Sequence, residues 1–221
     1  MAKLYYNCPG GAFGDCMPFG KDGVFYLYYL KDNRKPQDQK DPFVWDLVTT
    51  PDFVHYTEQG TAIAGSGPND QDQDIISGSV MEGMGQYHAF YTGANLSFSA
   101  KGLPSQVQMH ATSDDLIHWT KDRSLHLPPQ PGYDISDWRD PFVFWCQEQE
   151  EYLMLLGGRK AGPKTQQTGR TVQFASKDLE HWEFRGDFWA PGLYTMHEMP
   201  DLFYMDGWWY HIITEYSHRS K

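Results

Sequence analysis

The sequence predicts an all-β protein built from a repeated four-stranded unit. Aromatic residues account for 16% of the 221 residues, and 21 glycines and 14 prolines divide the apolar stretches into short runs. Short aromatic runs between Gly and Pro turns are typical of β-strands. Few stretches have the 3.6-residue period of an amphipathic helix. A third observation, an internal repeat of 63 residues, groups the strands into units.

The repeat is defined by a motif in which Asp is followed by two residues, a His, and then Tyr or Trp. The motif occurs three times, and both steps between successive aspartates are 63 residues long. Two equal steps of this length indicate that one structural unit recurs along the chain. The three copies are TTPDFVHYTE, TSDDLIHWTK and ASKDLEHWEF, with their aspartates at Asp52, Asp115 and Asp178.

The repetition of this motif predicts a structural turn rather than a ligand site. A ligand site does not need three copies on the outer edge of the repeats, whereas Asp side chains commonly cap turns by accepting backbone hydrogen bonds. We expect the His to bond across the turn and the aromatic residue to pack between units. Three histidines are therefore not expected to be catalytic or metal-binding: His55, His118 and His181.

Two strands joined by a polar or Gly-containing turn precede each motif and keep the same period. Four-stranded units of this length are typical of β-propeller blades, in which the first strand of each blade lines a central channel. The 221 residues contain about three and a half such blades. Because a propeller needs a closed ring, we expect the chain to continue past Lys221 or to be completed by a partner. The first strands begin near Asp15, Ser77, Asp140 and Asp201.

The charge, the cysteines and the apolar runs of the sequence limit the kinds of partner and location that we expect for this protein. The formal net charge of −11 argues against nucleic acid as a partner. The three cysteines do not have the spacing of a disulfide framework or a zinc site. The N-terminal residues lack the apolar core of a signal peptide, and no apolar run reaches the length of a membrane span. We therefore expect a cytoplasmic protein, with no membrane association and no metal, that binds a small carbohydrate.

Three carboxylates occupy matching places at the start of the innermost strands. Asp15 belongs to the first blade, Asp140 to the third, and Glu198 immediately precedes the matching strand of the fourth. The propeller topology would bring them to one end of the channel. Glycoside hydrolysis commonly uses two carboxyl groups that flank the scissile bond. Arg139, beside Asp140 in the segment WRDP, is expected to favour the ionised form of that carboxylate.

Four motifs, in order along the chain, resemble those of glycoside hydrolase family 32, the invertase, levanase and inulinase group, which is related to family 43. The resemblance spans nearly the whole chain. It implies a five-bladed β-propeller, of which residues 1–221 form the N-terminal part of the catalytic domain, incomplete at its C-terminus. The motifs are ISGSV at 76–80, FYTG at 90–93, WRDP at 138–141 and HEMPDLF at 197–203.

The resemblance also implies an activity. The family cleaves terminal β-fructofuranosyl bonds, as in sucrose, fructo-oligosaccharides and fructans, with retention of configuration and without a cofactor. Asp15 would be the nucleophile that forms a fructosyl-enzyme intermediate, and Glu198 would be the general acid/base. Asp140 would stabilise the transition state through the sugar hydroxyls. Further candidates for substrate contact are Arg139, Ser77, Ser79, Trp45 and Tyr91.

Two departures from the family pattern leave other functions open. The segment AFGDCMPF around Asp15 lacks the asparagines that usually flank the nucleophile, and Met199 replaces the usual Cys after the acid. A family 43-like arabinosidase or xylosidase would use the same carboxylates on another sugar. The incomplete ring also allows a sugar-binding module without turnover. The sequence does not predict the oligomeric state.

Overall fold

The computed structural model describes residues 6–32 and 42–217. They form three four-stranded antiparallel sheets and one two-stranded sheet, each with its strands in chain order. The structure confirms the all-β prediction and the repeated four-stranded unit. The polar loop at 33–41 lies outside the described residues. Within those residues, no helix is long and apolar enough to cross a membrane.

The sheets divide the chain into successive blades, and each innermost strand is the first of its sheet. A short 3₁₀-helix, Leu96–Lys101, lies within the second blade. The first blade contains β1 (Ala12–Lys21), β2 (Val24–Asp32), β3 (Val44–Thr50) and β4 (Thr57–Ile63). The second contains β5 (Asp74–Gly83), β6 (Gln86–Ala94), β7 (Gln106–Ser113) and β8 (Thr120–Leu127). The third contains β9 (Tyr133–Cys146), β10 (Glu151–Lys160), β11 (Gly169–Ser176) and β12 (Glu183–Trp189). The fourth sheet consists of β13 (Met196–Met205) and β14 (Trp208–Tyr216).

The core lies between neighbouring blades. One apolar cluster joins the first and second blades and contains the fully buried Trp45 and Tyr91. A second cluster joins the second and third blades around Phe90 and Trp138. The second and third sheets have a neighbour on each side, and their strands β6 and β10 are therefore buried on both faces along most of their length. The packing of blade on blade is what a propeller arrangement requires.

The three repeated motifs form the same turn. In the second blade, Asp115 Oδ1 accepts hydrogen bonds from the amides of Ile117 at 2.9 Å and His118 at 2.8 Å. Asp115 Oδ2 lies 2.7 Å from His118 Nδ1, and the His side chain is exposed. Trp119 then packs edge-on against Tyr28 of the first blade, with ring centroids 5.8 Å apart. The motif is a turn that also joins blades, as predicted.

Each innermost strand contains a β-bulge at the matching position. The innermost strand has one residue more than the second strand across each bulge, which follows Phe13 in β1, Ile76 in β5, Arg139 in β9 and Glu198 in β13. A bulge leaves one residue outside the ladder and turns its side chain in a new direction. The bulges therefore determine which side chains point away from the sheets at one end of the innermost strands.

Candidate active site

Asp15, Asp140 and Glu198 line one cavity of about 300 Å³. Each is located at the bulge of its innermost strand. The prediction that the three carboxylates meet, although they are far apart in sequence, is thus consistent with the structure. The other lining residues are Leu30, Phe43, Ile76, Gln106, Arg139, Met199 and Thr214.

Asp15 is exposed to the cavity and is held by a buried serine of the second blade. The hydroxyl of Ser77 donates a hydrogen bond of 2.7 Å to Asp15 Oδ2. Ser77 is itself fully buried. Among residues 6–32 and 42–217, the other carboxylate oxygen, Oδ1, has no hydrogen-bond partner. This arrangement orients Asp15 while leaving one oxygen for nucleophilic attack.

Arg139 joins the acidic residues of the third and fourth blades. Its Nε and Nη2 atoms both contact Glu198 Oε1, the Nε contact at 3.1 Å. Its Nε lies farther, 3.9 Å, from Asp140 Oδ2. The guanidinium also contacts Asp137 Oδ1 at 3.3 Å. The sequence placed Arg139 beside Asp140, but its closest partner in space is Glu198.

Asp140 is the most enclosed of the three carboxylates, with 4% of its surface exposed. Its Oδ2 accepts a hydrogen bond of 3.1 Å from the amide of Met199, the bulge residue of β13. Burial raises the pKa of Asp140 to about 7, against the opposing effects of Arg139 and the Met199 amide. The expectation that Arg139 keeps this carboxylate ionised is therefore outweighed by burial.

The arrangement can support acid/base and nucleophilic chemistry on a small polar substrate. One carboxylate is exposed and oriented by a hydroxyl, a second is tied to a guanidinium, and a third is buried with a hydrogen-bonded oxygen. A pair of carboxyl groups around a sugar-sized cavity matches the requirements of glycoside hydrolysis. No group of His, Cys, Asp and Glu suitable for a metal ion occurs in the part of the chain that the structure describes.

The predicted substrate-contact residues separate into two groups. Ser77 and Arg139 contact the candidate catalytic carboxylates. Ser79 is instead a joint between blades, because its Oγ accepts a hydrogen bond of 3.0 Å from the amide of Val143. Tyr91 is fully buried in the core between the first two blades. The structure therefore does not bring Ser79 and Tyr91 to the cavity, where their predicted contact with the substrate would occur.

Trp45, the aromatic residue predicted to contact the sugar, is also absent from the cavity lining. The side chain is fully buried, and its Nε1 donates a hydrogen bond of 3.0 Å to the carbonyl of Ile76 in the next blade. The aromatic residue that does line the cavity is Phe43, two positions earlier.

We expect Trp45→Phe to lower stability without changing substrate affinity. The smaller ring leaves a cavity and removes the hydrogen bond to Ile76, at a cost of roughly 1–3 kcal/mol. Chemical denaturation would measure the loss, and KM for the substrate should stay within about twofold of wild type. A large rise in KM with unchanged stability would contradict the placement of Trp45 in the core.

The sequence did not identify Gln106, Met199 and Thr214 as parts of the site. Gln106 lines the cavity from β7, and Thr214 does so from β14, where it pairs with Glu198. Met199 contributes its backbone amide rather than its side chain. The one signal available was the proline after Met199, because a proline inside a strand marks a bulge or an edge.

A sequence model of the glycosyl hydrolases family 32 N-terminal domain matches residues 16–218. The match begins directly after Asp15. A sucrose-6-phosphate hydrolase of Escherichia coli is 30% identical over 146 residues, which are 65% of this chain and 28% of that protein. An invertase of Wickerhamomyces anomalus is 25% identical over 210 residues, 90% of this chain and 34% of that protein. The chain spans about a third of the length of the curated relatives it matches.

Solved structures agree with the sequence comparison. The structure of a sucrose-6-phosphate hydrolase from Lactobacillus gasseri superposes with a TM-score of 0.74 at 26% identity, over 92% of this chain and 40% of that one. A β-fructofuranosidase of Bombyx mori has the same fold, with a TM-score of 0.74 at 22% identity, over 98% of this chain and 44% of that one. By its sequence and its fold, the chain belongs to glycoside hydrolase family 32.

Proposed function

We propose that the protein hydrolyses terminal β-fructofuranosyl bonds, in sucrose, fructo-oligosaccharides or fructans, with retention of configuration. The observation that carries the proposal is the convergence of Asp15, Asp140 and Glu198, from three different blades, on one cavity. Membership of family 32 supports the same chemistry. The activities for which its relatives are named, sucrose-6-phosphate hydrolase, invertase and levanase, support a fructosyl substrate.

The proposed reaction has two steps. In the first, Asp15 attacks the anomeric carbon of the fructosyl unit while Glu198 gives its proton to the departing oxygen. This forms a fructosyl-enzyme ester and releases the leaving alcohol. In the second, Glu198 takes a proton from a water molecule, which attacks the same carbon and frees Asp15. Two displacements on one carbon restore its original configuration.

The remaining polar groups orient this chemistry. The hydroxyl of Ser77 fixes the rotamer of Asp15 through its 2.7 Å hydrogen bond. Arg139 ties Glu198 to the start of the third blade, next to Asp140. The Asp140 carboxyl, excluded from bulk water, accepts hydrogen bonds from the sugar hydroxyls, which strengthen as positive charge develops on the ring.

The test is to identify the sugar that the purified protein releases. Sucrose, sucrose 6-phosphate, 1-kestose and levan are incubated with the protein, and free fructose is measured. The expected result is fructose from at least one of them, with NMR showing the retained anomer as the first product. Aryl α-arabinofuranoside and β-xyloside form the comparison panel. Release of arabinose or xylose instead, or binding of sugar without turnover, would overturn the proposal.

A further inference from the structure

We infer that Thr92 and Gln108 of the second blade are positioning residues that hold Asp140 of the third blade in its working conformation. The inference rests on the proposed function, because it assigns a role to the residues that support one of the proposed catalytic groups. Thr92 is located on β6 and Gln108 on β7, where the two residues pair across the ladder. Both are fully buried, and neither contacts Asp15 or Glu198.

A chain of hydrogen bonds links these side chains to the backbone on both sides of Arg139. The amide of Asp140 donates to Thr92 Oγ1 at 2.9 Å. The Thr92 hydroxyl donates in turn to Gln108 Oε1 at 2.9 Å. The Nε2 of Gln108 then donates to the carbonyl of Trp138 at 2.8 Å. The second blade thus holds the third-blade backbone by hydrogen bonds at Trp138 and Asp140, the residues on either side of Arg139.

A second glutamine of β7, Gln106, adds another hydrogen bond to the backbone of the third blade. The Oε1 of Gln106 accepts a hydrogen bond of 2.9 Å from the amide of Trp138. The same oxygen lies 3.4 Å from Arg139 Nη1. The peptide groups of Trp138 and Asp140 therefore depend on side chains of another blade for three of their hydrogen bonds.

These hydrogen bonds fix a backbone conformation that is uncommon for residues other than glycine. The φ of Asp140 is +63°, in the left-handed region, which Asp tolerates better than most residues, and Asp140 lies in the bulge of β9 directly before Pro141, which favours an extended backbone in the residue preceding it. Such a conformation costs on the order of 1 kcal/mol or more and persists only when its surroundings enforce it. If the amide of Asp140 lost its partner, the bulge could relax and carry the carboxyl away from the Met199 amide.

The side chain at position 92 needs a hydroxyl group because it makes two hydrogen bonds at once, one as donor and one as acceptor. Its hydroxyl donates to one group and accepts from another, which neither a methyl group nor an amide donor could do in that position. Serine retains the hydroxyl and valine retains the shape. Thr92→Ser and Thr92→Val therefore separate the hydrogen-bonding role from the packing role.

A second buried threonine provides a matched control. Thr50 is fully buried, and its Oγ1 accepts hydrogen bonds from the amides of Asp52 at 3.3 Å and Phe53 at 2.8 Å, in a turn of the first blade. Thr50→Val removes a comparable pair of hydrogen bonds outside the cavity lining. We expect it to lower thermal stability as Thr92→Val does, while leaving kcat within about twofold of wild type.

The first experiment measures kcat and KM for fructose release. We expect Thr92→Val and Gln108→Leu each to lower kcat about 100-fold, because small displacements of a positioned group have effects of this size, with KM changed by less than about fivefold. Thr92→Ser should stay within about fivefold of wild type. Adding Thr92→Val to Asp140→Asn should lower kcat by less than about threefold, since both changes act through one carboxyl. An active wild type with an unchanged kcat in Thr92→Val would overturn the inference.

The second experiment does not depend on turnover. NMR of the side-chain carboxyl carbons, with the Asp140 signal assigned through Asp140→Asn, follows the titration of Asp140 in each variant. We expect Thr92→Val to move the titration midpoint by at least half a pH unit and both Thr92→Ser and Thr50→Val to leave it unchanged. A midpoint unmoved by Thr92→Val would overturn the inference. If the wild type releases no sugar but the midpoint moves as expected, the proposed function fails while the positioning role stands.

Discussion

Asp15→Asn is expected to lower the rate of fructose release by roughly 10⁴-fold or more on every substrate, because the amide cannot attack the anomeric carbon. The change is nearly isosteric, and Asn can still accept the hydrogen bond that Ser77 donates to Asp15. We therefore expect the thermal stability to change little. Measurement of kcat on sucrose and on 1-kestose, together with the melting temperature, checks both parts.

Glu198→Gln provides the contrast that assigns the two roles. A general acid matters only as much as the leaving group needs its proton. We expect Glu198→Gln to lower kcat strongly on sucrose, and to lower it by a factor at least ten times smaller on a fructoside with a nitrophenol leaving group. Asp15→Asn should be equally inactive on both substrates. Equal losses for the two variants on both substrates would contradict the assignment of nucleophile and acid.

Ser77→Ala tests how much the orientation of Asp15 contributes. The variant removes the one hydrogen bond to Asp15 Oδ2 from the second blade but leaves the carboxylate in place. We expect kcat to fall by about tenfold, which is far less than the effect of Asp15→Asn, because a single hydrogen bond to a charged group contributes ~1.5 kcal/mol. A loss as large as that of Asp15→Asn would mean that Ser77 takes part in the chemistry itself.

The sequence was sufficient to predict the blades because their signals are local and repeated. The 63-residue period gives the same turn three times, with Asp Oδ2 to His Nδ1 distances of 2.7, 2.7 and 2.8 Å. The carboxylates at the start of the innermost strands were predictable for the same reason. Once the period is known, equivalent positions in different blades must face the same end of the channel.

The side-chain directions within the site could not be predicted in the same way. Alternation along a strand assigns residues to faces, but each innermost strand contains a bulge that shifts the alternation by one residue. Ser77 and Ser79 show the result: the first bonds to Asp15 in the cavity and the second to the amide of Val143. Pro141 and Pro200 follow two of the bulges and were the visible signal.

The partner of Arg139 illustrates a second limit. The motif WRDP places Arg139 next to Asp140 in sequence, which suggested an ion pair between neighbours. In a strand, adjacent side chains point to opposite faces, so sequence neighbours are poor contacts. The guanidinium contacts Glu198 on the next blade more closely than Asp140, whose Oδ2 lies 3.9 Å from Arg139 Nε. Contacts between blades depend on how the sheets pack, which the repeat alone does not specify.

Asp140→Asn is expected to make the protein more stable and almost inactive. The carboxyl is 4% exposed, and burial raises its pKa from 3.8 to about 7. The folded protein therefore binds the Asp140 proton more tightly than the unfolded chain does. The carboxyl contributes its full share of stability below about pH 4, and this share is lost as the pH rises towards and through 7.

The asparagine carries no charge at any pH and so avoids this loss. A pKa rise from 3.8 to about 7 means that ionisation of Asp140 lowers the folding stability by at most ~4 kcal/mol at alkaline pH. The asparagine recovers only part of this, because burying its amide also has a desolvation cost. We expect a net gain of ~1–2 kcal/mol at pH 8, which is a rise in melting temperature of roughly 2–8 °C. The Asn oxygen can keep the hydrogen bond from the Met199 amide.

The pH dependence identifies the cause of the gain. Melting temperatures of Asp140→Asn and wild type, compared from pH 4 to pH 8, should diverge as the pH rises and converge near pH 4, where the wild-type carboxyl is protonated. Asp72→Asn is a suitable control, because Asp72 is equally buried but forms an ion pair with Lys121. Its substitution removes the carboxylate partner of Lys121, a half-buried cation, and should lower stability at pH 8. A destabilised Asp140→Asn would show that the charge of Asp140 is compensated within the fold. A stabilised but inactive variant would show that the fold bears the cost of a buried carboxylate because the reaction requires it.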